Sequence, residues 1–103
     1  MDFTEYRGDA VDVVVCMEVA EHTDKWPQIV ANAANHLDEG GVFIFTAAGP
    51  GWPEHSATDG GPLRDGEHYE NIEPDALRRV LDCHFASCEV DVSGNAVRAV
   101  AWR

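Results

Sequence analysis

The chain has 103 residues, of which 45% are hydrophobic, and a formal charge of −12 from 19 acidic and 7 basic side chains. A chain of this length buries roughly two-thirds of its unfolded surface, enough for one core, so residues 1–103 are expected to form a single domain. The charge repels phosphate backbones, which sets nucleic acid aside as a direct partner. The longest apolar runs, about six residues, fall far short of the roughly 20 that a bilayer span needs, and no basic, apolar leader opens the sequence. A soluble, cytoplasmic protein with no membrane partner is therefore expected.

The acids are spread along the chain, as on a solvated surface. Cys16, Cys83 and Cys88 form an odd set without the two-residue spacing of a zinc knuckle, and suggest reduced thiols and no metal centre. Cys16 lies in an apolar run and reads as a small core residue.

Val11 to Met17 is β-branched and apolar on both alternating faces beyond Asp12, the pattern of a strand covered on both sides. It ends in an acid-and-histidine tip that contains Glu18, Glu21 and His22. Thr23 or Asp24 is placed to cap a helix whose first turn accepts Pro27, with Trp26, Ile29, Val30, Ala33, Ala34 and Leu37 at helical spacing. Gly40 and Gly41 are expected to end that helix and turn the chain into a second two-sided strand, Val42 to Ala47. Strand, helix and strand with short joins make a right-handed βαβ unit.

Ala48 to about Glu73 has no periodicity and many glycines and prolines, a length typical of functional or disordered loops. Trp52, His55, His68 and Tyr69 argue against disorder. Pro74 opens a second helix that ends near Cys83, with Leu77, Val80 and Leu81 on one face. Phe85 to Val92 and Ala96 to Trp102 then alternate around the turn Ser93-Gly94-Asn95 and read as an antiparallel hairpin. Trp26 and Trp102 fall on apolar positions and are expected in the core.

His22, His55 and His68 are candidate proton acceptors, because an unperturbed imidazole titrates near neutrality. His22 could equally donate to a carbonyl or carboxylate as a structural residue. Glu18 has two readings, a ligand-holding acid or a solvated one, and Glu21 reads as a carboxylate interacting with nearby amides. His55, Asp59, His68 and Tyr69 share the long loop, where they could contact substrate, bind a metal or pack the loop on itself. Trp52, between Gly51 and Pro53, is placed to cover a ligand or to plug the loop.

The segment Asp12 to His22, the following helix and Glu39 to Thr46 together resemble class I S-adenosylmethionine-dependent methyltransferases of the small-molecule type. The resemblance covers nearly the whole chain. It implies a partial Rossmann-like α/β fold in which the two parallel strands are the family's fourth and fifth, and the terminal hairpin its sixth and antiparallel seventh, the latter inserted between fifth and sixth. The stretch Asp59 to Ile72 resembles the family's substrate-facing loop after the fifth strand. On this resemblance Cys16, Met17 and Glu18 would line the cofactor S-adenosylmethionine. His22 and His68 would be catalytic, and Glu21, Trp52, His55, Asp59 and Tyr69 would face a small-molecule methyl acceptor.

The family's glycine-rich loop, ribose-holding acid and adenine-contacting segment have no counterpart in these residues. The sequence therefore reads as the C-terminal half of the fold, offering one wall of a cofactor pocket. Val11 to Met17 would then be a bare, uncharged strand edge. Its expected cover is a complementary chain or a second copy in a homodimer. Two functions follow from the resemblance: the substrate-side half of a methyltransferase, or an inactive homodimeric interaction module.

Overall fold

The computed structural model describes residues 11–103. Strand β1 (Val11–Met17) leads through helix α1 (Trp26–His36) to strand β2 (Leu37–Ala48), which lies beside β1 and runs parallel to it. Helix α2 (Pro74–His84) follows the long loop, and β3 (Ser87–Ser93) and β4 (Ala96–Trp102) complete a four-stranded sheet of order β1-β2-β4-β3. The last strand is thus inserted between β2 and β3 and is antiparallel to both. This is the mixed α/β arrangement expected from the sequence.

Side-chain alternation divides the sheet into two unlike faces. On one, Val14, Cys16, Phe43, Phe45, Val97, Ala99 and Ala101 meet Ile29, Val30 and Ala33 of α1 and Leu77 and Leu81 of α2 in a continuous core. Phe85, just past α2, stacks on Phe43 with centroids 5.7 Å apart and planes 5° from parallel. Each fully buried large side chain here contributes about 1.5–3 kcal/mol by leaving water.

The opposite face is bare among the described residues. Val13, Val15 and Met17 of β1 and Ile44 of β2 are exposed. The two-sided apolar pattern of β1 and β2 is therefore covered on one side only. Trp102 also projects there, 36% exposed, and is not the core residue its apolar position suggests. The strand register explains this, because Trp102 lies opposite Val42 while its neighbour Ala101 faces Phe43.

The βα and αβ joins depart from expectation in an instructive way. Neither Thr23 nor Asp24 caps α1; Lys25 holds the cap position without a side-chain bond, and the Thr23 hydroxyl oxygen accepts the Lys25 N–H in the turn before it. At the other end α1 stops at His36, four residues before Gly40, and Leu37 is already extended and paired with Val11. Arg103 supplies the missing termination, its guanidinium donating to the carbonyls of Ala34 and Leu37 at 2.6 Å each. Gly40 and Gly41 lie inside β2, where the register slips between Val11 and Val13. Gly40 has φ +82, and a Cβ on Gly41 would stand 2.8 Å from the Asp38 carbonyl oxygen and 3.1 Å from that of Asp12. The glycines thus permit a bulge in the strand instead of ending the helix.

The hairpin's first strand begins at Ser87, leaving Phe85 to the core, and its turn places Gly94 at φ +59. Beyond β2, the chain passes so close to that turn that a Cβ on Gly49 would lie 3.0 Å from the Asn95 carbonyl oxygen. This contact fixes where the long loop departs.

The asymmetry of the faces is measurable by chemical denaturation. Phe43→Ala, at the core centre, is expected to cost about 3–5 kcal/mol, whereas Val15→Thr on the bare face should change stability by no more than about 0.5 kcal/mol. Equal losses would contradict one-sided packing.

Candidate functional site

At the carboxyl end of β1 the chain bends sharply. Glu18 adopts φ +58, a left-handed conformation that costs a non-glycine residue about 1–3 kcal/mol. Two bonds to β2 hold it there: the Glu18 N–H donates to the Thr46 carbonyl at 2.9 Å, and the Thr46 hydroxyl donates to the Glu18 carboxylate at 3.2 Å. A single 3-10 turn, Ala20–His22, follows and brings Glu21 and His22 beneath the loop.

Glu21 is completely buried. Its Oε2 accepts the Ala48 N–H at 2.5 Å, so the carboxylate ties the tip of β1 to the end of β2. Its carbonyl accepts the Glu70 N–H at 2.9 Å, and two residues on, the Ile72 N–H donates to the Ala48 carbonyl at 2.8 Å. The long loop thereby returns like an added strand across both tips. Among the described residues Glu21 Oε1 has no hydrogen-bond partner, and neither has the buried Nδ1 of His22. His22 Nε2 stands 3.8 Å from Glu21 Oε1, beyond hydrogen-bond reach.

Burial pushes the Glu21 carboxyl above its ordinary value, against the opposing pull of the Ala48 amide. Burial also pushes His22 down, helped by the neighbouring His55. Tyr69 is raised, first by burial and then by Glu21, Glu54 and Glu18. All three shifts favour the neutral forms.

Above this pair stands a cluster of rings. His22 meets His55 edge-on with centroids 4.9 Å apart, and Tyr69 lies 5.7 Å from His22 and 5.1 Å from His55. Trp52 tilts against His55 at 6.4 Å. The loop is braced from within. The Tyr69 hydroxyl donates to the Trp52 carbonyl at 3.3 Å, and Asn71 Nδ2 donates to the carbonyls of Gly49 and Trp52 at 2.8 and 3.0 Å. Farther out, the Glu67 carboxylate collects the Ser56 hydroxyl and the N–H groups of Ala57 and Arg64, which hold it below the usual carboxylate range.

Of the residues singled out in sequence, the structure gathers Glu21, His22, Trp52, His55 and Tyr69 at one place. His68 points elsewhere and pairs with Glu70 at 3.0 Å. Asp59 is engaged by Arg64 at 2.8 Å in an exposed turn outside the ring cluster. Cys16 sends its side chain into the core, while Met17 projects 59% exposed on the bare face and Glu18 sits at the bend. The sequence reading did not single out Thr46, Ser56, Glu67 and Asn71, the residues that hold the tip and loop in place. A signal existed: in a strand-like return, Glu67, Tyr69 and Asn71 share one side and His68 the other. A groove of about 510 Å³ lies on the bare face between Ile44, Thr46, Glu89, Asp91, Arg98 and Val100. It contains none of the ring cluster, and its Asp91–Arg98 pair is exposed.

The buried carboxyl gives a signed pH effect. Because Glu21 is raised above 4.5, the stability it contributes is full below about pH 4.5 and is lost as pH rises through its folded value. Glu21→Gln retains an acceptor for Ala48 but removes this dependence. Denaturation midpoints from about pH 4 to pH 8 should fall for the parent chain relative to the variant as pH rises; parallel curves would show that Glu21 is not held in a desolvated site.

Comparison with known proteins identifies the family and the fold. A family model described as a methyltransferase domain matches residues 2–83. An O-methyltransferase family protein from Burkholderia thailandensis has a similar structure, with 13% identity and a TM-score of 0.69 over 99% of this chain and 33% of its own. Magnesium protoporphyrin IX methyltransferase from Synechocystis, solved with bound SAH, gives 16% identity and a TM-score of 0.66 over 100% of this chain and 49% of its own. A DhpI–SAH complex gives 20% identity and a TM-score of 0.72, covering 100% of this chain and 52% of the other. The chain thus spans about a third to a half of the length of these structures. A search of curated proteins returned no match. Among the described residues no helix is long and apolar enough to cross a membrane. The family match over most of the sequence makes this chain a member of the methyltransferase domain family.

Proposed function

We propose that this chain is the substrate-side half of an S-adenosylmethionine-dependent methyltransferase that acts on a small molecule. The observation that carries the reading is the meeting of Glu21, His22, His55 and Tyr69 at the carboxyl ends of two parallel strands, where open α/β sheets receive ligands. Two buried polar atoms there, Glu21 Oε1 and His22 Nδ1, have no partner among the described residues.

The tip also fits the cofactor's charge. When bound, S-adenosylmethionine would supply an electrophilic methyl group on a sulfonium. Glu18 presents a carboxylate at the bend and Met17 an exposed thioether beside it, and both accommodate a cation. These two residues, with the backbone of Cys16, would hold the cofactor's methionine end. The chain's remaining task is alignment and proton removal. His22, kept neutral by burial, would accept the proton from the acceptor's O–H or N–H. Glu21 lies behind it, Oε1 3.8 Å from Nε2, where an imidazolium would draw the neutral carboxyl toward its ionised form. His55, Tyr69 and Trp52 would flank the acceptor, and the rest of the pocket would come from a complementary polypeptide or a longer parent chain.

A second reading rests on the bare edge and face of β1, where Val13, Val15 and Met17 are exposed. Such an edge templates pairing, and two copies could join it about a two-fold axis as a catalytically inactive interaction module.

Calorimetric titration with S-adenosylmethionine, on the chain alone and mixed with the product of the adjacent upstream reading frame, tests the first reading. Heat is expected in the mixture, and none in either sample would overturn it. In an active mixture His22→Ala should lower turnover about 10²–10⁴-fold, and His68→Ala far less. Light scattering tests the second reading: a dimer should dissociate on Val15→Asp, and a parent chain that is strictly monomeric would refute it.

A further inference from the structure

The ring cluster is surrounded by carboxylates. Glu21, Glu54 and Glu18 are the charges that act on Tyr69, and Glu67 and Glu18 lead the negative ones acting on His22. Three of the described arginines are engaged elsewhere. Arg64 is held by Asp59, Arg98 by Asp91, and Arg103 by the carbonyls ending α1. The other imidazole facing His22 is that of His55, with centroids 4.9 Å apart.

An acidic surround alone selects nothing. Here a second feature lies beneath it: Glu21 is wholly buried, and its Oε1 and the adjacent His22 Nδ1 have no partner among the described residues. Buried polar atoms of this kind are normally satisfied, and a site that leaves them open recognises a ligand able to satisfy them. A hydroxyl can donate or accept and so suits either protonation state of Glu21. An ammonium suits the ionised state. A carboxylate or phosphate could pair only with the protonated acid, and would enter against the field of the surrounding acids. The faces of Trp52, His55 and Tyr69 add flat, partly buried surface beside these atoms.

We propose that this site takes a neutral or cationic aromatic methyl acceptor bearing an O–H or N–H donor, and rejects acceptors that carry a carboxylate or phosphate. The proposal rests on the methyltransferase reading for the words "methyl acceptor", but the charge selection concerns binding alone.

Three probes of similar size test it on the full chain: tyramine, 4-methylphenol and 4-hydroxyphenylacetate. Binding is read from the side-chain NMR signals of His22, His55 and Tyr69 near pH 7. The cation and the neutral phenol should shift these signals, and the anion should bind at least about 10-fold more weakly than the cation. Glu54→Gln, an exposed change that leaves the core intact, should narrow that ratio, as should added salt. Anion binding within about twofold of the cation, or no response of the cluster to any probe, would overturn the proposal. Methyl transfer is followed separately by mass spectrometry after cofactor and the upstream polypeptide are added. Selective binding without product would count against the methyltransferase reading and leave the charge selection standing.

Discussion

One buried carboxylate organises the functional end of this protein. Glu21 reaches from the turn after β1 to the amide that closes β2, and its own carbonyl receives the returning loop at Glu70. Three chain segments far apart in sequence therefore meet at a single residue from which water is excluded. The tie is costly, because a carboxyl in such a place resists ionisation, and it leaves one oxygen without a donor. A fold that needed only to join two strands could have used backbone pairs. Keeping an acid there is the kind of local conflict that functional sites retain.

The rest of the scaffold holds that tip still. One sheet face is packed by both helices, with Phe43 and Phe85 stacked near its centre. Arg103 fastens the far end of the same parallel pair by closing α1 and by exchanging backbone bonds with Gly40 and Gly41. The long loop is ordered by its own polar side chains. Asn71 and Tyr69 grip the Trp52 carbonyl, and Ser56 and Glu67 lock the outer turn. The clustered rings thus stand on elements braced from several sides.

Much of this was legible in sequence because local rules governed it. Two apolar runs and an amphipathic helix between them specify a βαβ unit, and alternation around Ser93-Gly94-Asn95 specifies a hairpin. The strand tips followed from the runs, and so the grouping of Glu21 and His22 did too. What escaped was set by partners distant in the chain. No residue near His36 announces that Arg103 will end the helix there, and Gly40-Gly41 looks like a helix stop until the bulge opposite Asp12 is seen. Likewise His68 and Tyr69 are equivalent as letters. Only the returning backbone, bonded at Glu70 and Ile72, sends one ring into the cluster and the other toward Glu70. Trp102 was misplaced for the same reason, since register and not hydrophobicity decides which side a strand residue takes.

The naked side of the sheet gives the surplus of acids a colloidal duty. Val13, Val15, Met17 and Ile44 form a greasy plane that would drive molecules together, and a net charge of −12 keeps them apart by mutual repulsion. Acidifying the solution discharges that guard while leaving the plane untouched, so mildly acidic buffers invite precipitation even where the core remains folded.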